Sequence, residues 1–220
     1  LHGRGDSDTV RRIMTDGTRM LLAVAVPGIG LLYYYAPEFI HLWLGAEFAD
    51  SADLLRILLL ALVPMTLQLN AANILGMTGQ HRFLAIAMLA SAALNLLLTV
   101  LLISVFGIYG AALGTLAAVL LVEAAVILPR ACRHSQVSAL GFIRTVVWPS
   151  LPAVLPMLAC ALVLDQWLTT DHFGLLCFKV ATCGIVYLAG FYFTGLTAAE
   201  RGLLCDKLLR GAPTVQLEAK

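Results

Sequence analysis

Six stretches of mostly apolar residues, at 20–39, 54–77, 83–106, 108–128, 146–164 and 175–194, constrain this 220-residue chain more than any other feature. A helix needs roughly 20 such residues to cross the ~30 Å hydrocarbon core of a bilayer. A soluble domain is about 45–50% apolar and about 25% charged; this chain is 60% hydrophobic and 12% charged, with a mean hydropathy of +0.91. That is more apolar surface than one globular core hides. The runs are continuous and do not alternate, which excludes a membrane β-barrel. The expected fold is therefore all-α, a polytopic membrane bundle of six transmembrane helices over 20–194, preceded by a segment at 1–19 and followed by a tail at 195–220.

The breaks carry turn chemistry: Ala36-Pro37-Glu38, Thr78-Gly79-Gln80-His81, Phe106-Gly107, Pro129-Arg130 and a polar run from Asp165 to His172. Placement of basic residues then sets the orientation. With the N-terminus in the cytoplasm, Arg4, Arg11, Arg12, Arg19, Arg82, Arg130, Arg133, Arg144, Arg201, Lys207, Arg210 and Lys220 all fall inside, twelve of the fourteen Lys and Arg. Arg56 and Lys179 remain near the outer face, where Glu38, Glu47, Asp50, Asp53, Asp165 and Asp171 also lie. Both termini are thus expected in the cytoplasm. Tyr33, Tyr34, Tyr35, Trp43, Tyr109 and Trp167 mark the outer border and Trp148, Tyr192 and Phe193 the inner one, as interfacial aromatic belts do.

Polar residues inside the spans point at protein or at water, because facing lipid is costly. At 100° per residue, Thr66, Asn70, Asn73 and Met77 share one side of the second span, with Gln68 opposite. Ser91, Asn95 and Thr99 share a side of the third. These amide stripes fit interhelical glue or a cavity lining equally well. In the fourth span Gly107, Gly110, Gly114 and Ala118 gather on one side, a seam for close helix packing. Glu123 projects from nearly the opposite side, and an intramembrane carboxylate is a functional candidate by default. Pro27, Pro64 and Pro156 are expected to kink their helices, while Pro149 and Pro152 fit the opening turn of the fifth span.

Catalytic chemistry has no constellation here. His2, His41, His81, His134 and His172 lie in tails or loops, and there is no HExxH, nucleophile motif, P-loop or GxGxxG. Cys132, Cys160, Cys177, Cys183 and Cys205 form no CxxC pair, so neither a zinc site nor a disulfide framework is expected. Asp165, Asp171 and His172 read as a solvated turn. A net charge of +1 argues against a nucleic-acid partner. No enzyme activity, metal or cofactor is expected.

One stretch, residues 37–128, resembles a known family. Leu44-Gly45-Ala46-Glu47-Phe48 is followed by Ala52-Asp53-Leu54-Leu55-Arg56-Ile57-Leu58 and by Asn73-Ile74-Leu75-Gly76-Met77-Thr78-Gly79-Gln80. Then come Ala92-Ala93-Leu94-Asn95-Leu96 and Phe106-Gly107-Ile108-Tyr109-Gly110-Ala111-Ala112-Leu113-Gly114-Thr115-Leu116. In this order the pattern resembles the polysaccharide flippases of the multidrug/oligosaccharidyl-lipid/polysaccharide exporter superfamily. The resemblance implies transport of undecaprenyl-linked oligosaccharide across the bacterial inner membrane by two lobes that rock in alternating access. It also implies that this chain supplies the last six helices, the C-terminal part of a two-lobed transporter fold, with a first lobe lying upstream as partner. Arg56, Thr66, Asn70, Asn73, Asn95 and Glu123 are then the candidates for lining the substrate cavity. A multidrug or lipid II exporter is the neighbouring alternative. A polymerase or ligase of surface-glycan assembly is a more distant one, since it needs a long charged outer loop; a non-transporting scaffold subunit is another.

Overall fold

A backbone that leaves water must bond its own N–H and C=O groups, so apolar runs of this length become helices. The computed structural model describes residues 9–196 and Arg201; Arg4, Cys205, Lys207, Arg210 and Lys220 lie outside the described residues, as does most of the tail. Among the described residues there are six helices long and apolar enough to cross a membrane. They are α1 (Thr9–Tyr34), α3 (Ser51–Met77), α4 (His81–Phe106), α5 (Ile108–His134), α6 (Ala139–Trp167) and α7 (Phe173–Thr194). A short helix, α2 (Ala36–Leu44), lies between the first two spans. No strand occurs among the described residues. The chain is an all-α, multi-pass membrane protein.

Three spans differ most from the sequence expectation in their boundaries. The first span is helical from Thr9, the first described residue, through the polar stretch, where Thr15 and Thr18 return their hydroxyls to the helix, bonding Arg11 O at 2.9 Å and Met14 O at 2.6 Å. It ends at Tyr34, ahead of Pro37. The fourth span does not stop at Pro129 but continues to His134. A proline lacks the N–H for the i−4 carbonyl and collides with it; the helix absorbs this by widening to a π-helix over Val119–Ile127. The fifth span starts at Ala139, capped by Ser138, whose Oγ accepts the Gly141 N–H at 3.1 Å. Pro149 therefore sits inside the span, in a 3₁₀ turn at Trp148–Ser150, while Pro27, Pro64 and Pro156 are carried within continuous α-helix.

Two cores share α1. Near its start, Met14 and Leu22 pack with Ala71 and Leu75 of α3, Ile127 of α5, and Phe142 and Val146 of α6. Near its end, Leu31 packs with Ala153, Met157 and Ala161 of α6 and with Cys183 and Tyr187 of α7. Small residues let these helices approach, the usual device where lipid supplies no hydrophobic drive for association. α4 is the outermost span: only Ala87 and Ser91 are buried along it, and Ile86, Leu89 and Val100 are exposed.

The seam between α4 and α5 is the closest approach. A Cβ on Gly114 would lie 2.8 Å from Thr99 N, and one on Gly110 would overlap the Leu102 backbone. Ala118 is fully buried. Gly107 does not join them. It makes the turn between the two helices at φ +59°, in open space, so its role is conformational and not one of packing.

Candidate functional site

α3 is flanked by α1 and α5, and it offers an amide to each. On one side Asn70 Nδ2 donates to Thr18 Oγ1 at 3.2 Å, just after the π-turn Ile13–Gly17 of α1. On the other, Gln68 Nε2 donates to Glu123 Oε2 at 2.8 Å, inside the π-segment of α5. The two amides are two residues, and thus about 200°, apart, which is why one helix serves both neighbours. π-turns are rare and concentrate at functional positions; here each one faces a polar side chain of α3.

Glu123 is the centre of this arrangement. It stands eleven residues before the end of α5 and fifteen after its start, roughly 16 Å and 22 Å along the helix axis. Its only hydrogen-bond partner among the described residues is the neutral Gln68, and no described Lys, Arg or His lies within ion-pairing distance. The carboxylate is half-buried.

The remaining candidates separate by environment. Asn95 Nδ2 donates to Thr115 Oγ1 at 3.4 Å and its Oδ1 accepts from Thr99 at 3.2 Å, so this pair of stripes joins α4 to α5 as glue. Thr66 turns its hydroxyl back to Leu62 O at 2.7 Å. Asn73 and Met77 are exposed. Asn73 lies four residues, about 6 Å, from the end of α3, where a polar side chain reaches the membrane border. The side of α3 expected to face inward therefore turns outward at this end, and Gln68, expected opposite the stripe, is the residue that reaches the carboxylate.

Arg56 is held at the far end of the bundle, away from Glu123. Pro37 has no N–H to give Tyr33 O, and Arg56 Nε supplies it instead at 3.2 Å, while its Nη1 bonds Asp53 Oδ1 at 3.1 Å. It repairs a helix end.

A second buried charge went unrecognised in the sequence. Lys179, 1% exposed, donates to Asp165 Oδ1 at 2.7 Å and to Thr170 Oγ1 at 2.8 Å. Asp165 Oδ2 accepts from Tyr34 at 2.8 Å, and the ammonium lies 5.8 Å from the centre of the Tyr35 ring. Asp165 is thus not part of a solvated turn: it ends α6 and ties α1, α6 and α7 together. The signal was available, since Lys179 lies six residues inside α7, too deep for an unpaired ammonium.

In comparisons with known proteins, no family model, no curated protein and no solved structure matches this chain.

Proposed function

We propose that this chain is part of a transporter that moves lipid-linked oligosaccharide across the bacterial inner membrane for polysaccharide biosynthesis, with both ends of the bundle in the cytoplasm. The observation that carries the reading is Glu123, a carboxylate near the middle of a membrane helix whose partner is an uncharged amide. A static scaffold gains nothing from such a group, which costs several kcal/mol to hold at that depth. A transporter uses it: the carboxylate takes up a proton or meets a cationic group as the bundle changes state. The oligosaccharide substrate rests on the resemblance of residues 37–128. Alternating access needs a second bundle rocking against this one, and the α3 side bearing Thr66 and Asn73 is the face we assign to it.

The test is export of an undecaprenyl-linked oligosaccharide in a strain lacking its flippase, with the chain expressed from its natural reading frame. Surface glycan should return with the wild-type residue and fall at least tenfold with Glu123→Gln, at equal membrane levels. Equal export by the two proteins would remove Glu123 from the mechanism. Drug resistance without glycan export would move the substrate to the multidrug class. Cysteine labelling from outside should reach position 171 and not 133; the reverse would invert the orientation.

A further inference from the structure

The end of the bundle that holds Thr9 also carries a pocket of about 230 Å³ lined by Gln80, Arg130, Arg133 and His134. The pocket is open to solvent, with Arg130, Arg133 and His134 exposed, so a polyatomic group can enter it. No carboxylate lines it.

The hydrogen bonds fix what the pocket presents. Arg130 Nε donates to Gln80 at 3.2 Å, and because a guanidinium only donates, that atom must be the amide oxygen Oε1. The Gln80 Nε2 then faces His134 Nδ1 at 3.0 Å as donor, so Nδ1 accepts. A neutral His134 therefore carries its proton on Nε2. Phe83 lies under the Arg130 guanidinium, 5.0 Å from ring centre to Cζ, and holds its plane. The side-chain groups left to meet a ligand are mainly donors: Arg130 Nη1 and Nη2, the Arg133 guanidinium and His134 Nε2–H. Gln80 precedes α4, yet its side chain makes no capping bond there, being used by Arg130 and His134. The positive end of the 26-residue α4 meets the negative end of α5 here, so the field for an anion comes from the two guanidinium groups.

We infer that this pocket binds a phosphate group, and that the group is the headgroup of an anionic phospholipid. Guanidinium pairs match phosphate oxygens in geometry and charge. The lipid is favoured over a free phosphate by position. The pocket joins the first residues of one span to the last of another, and exposed apolar side chains, Ile86 and Leu89 on α4 and Val126 on α5, begin within two turns of it. A headgroup seated here has its acyl chains alongside apolar helix.

Native mass spectrometry of the full chain in detergent, with phosphatidylglycerol, phosphatidylcholine or inorganic phosphate added, tests this. Wild-type protein should retain phosphatidylglycerol over phosphatidylcholine of the same chain length. Each arginine near an anionic headgroup is worth about fivefold in affinity, so Arg133→Gln should lose that factor and Arg130→Gln/Arg133→Gln its square. Arg133 has no side-chain hydrogen bond among the described residues, so the single variant leaves the fold intact even where the double one does not. Arg144→Gln, an exposed arginine outside the pocket, should keep the preference. Equal retention of both lipids by wild type, or an unchanged preference in Arg133→Gln, overturns the site. Displacement of phosphatidylglycerol by millimolar inorganic phosphate overturns the lipid as its occupant.

Discussion

Lys179 and Glu123 are both carried by apolar helices, and the protein treats them in opposite ways. Around Lys179 two of the ammonium's three donors are taken by Asp165 and Thr170, the Tyr35 ring lies 5.8 Å away, and Asp165 also accepts from Tyr34. Around Glu123 a neutral amide does the work and the charge is left without a counter-ion among the described residues. Charge neutralised on the spot fixes three helices in one arrangement. Charge left uncompensated makes the local structure depend on protonation or on a partner. We assign the first to architecture and, on the proposed function, the second to activity; substitutions can separate them.

The largest effect is expected at the paired site. Lys179→Met leaves Asp165, 29% exposed on its side chain, without its cation; breaking a buried pair in this way costs about 3 kcal/mol once partial hydration of the carboxylate is allowed for. Unfolding in mixed micelles should show that loss, and Lys179→Met/Asp165→Leu should recover most of it. A double variant no better than the single would mean that the network acts through more than charge pairing. Gly110→Ala comes next: its methyl overlaps the Leu102 backbone and forces α4 from α5, at about 2 kcal/mol. A smaller loss there would show that the seam yields. Asn95→Val removes one interhelical hydrogen bond, worth about 0.6 kcal/mol in membrane bundles. Glu123→Gln should be the one substitution of the four that does not destabilise, since an amide–amide bond to Gln68 replaces the present one and the cost of holding a carboxylate at that depth is removed. If it costs as much as Lys179→Met, the contrast between the two regions collapses and Glu123 is structural too.

How far the sequence could be read follows from the kind of information each feature holds. Gly110 and Gly114 were legible because close packing demands small residues at a fixed helical spacing. Glu123 stood out because carboxylates are rare at such depth. Gln68 did not, because its phase set it opposite Thr66 and Asn73, and nothing local says which side of α3 meets α5. Asp165 was hidden for a similar reason: it adjoins a polar run, and its partner Lys179 belongs to another helix.

The sequence by itself determined the number of spans, their helical state and the seam of small residues, because hydrocarbon thickness and backbone hydrogen bonding act on each segment alone. Only the tertiary structure decided which polar residue meets which. It set Gln68 on Glu123, Arg56 on the carbonyl that Pro37 leaves free, Asn70 on Thr18 and Lys179 on Asp165. It also decided that Pro129 widens a helix instead of ending it. Those pairings depend on how whole helices rotate and stack. In lipid that rotation is chosen by packing and interhelical bonds summed over the bundle, which no single segment encodes.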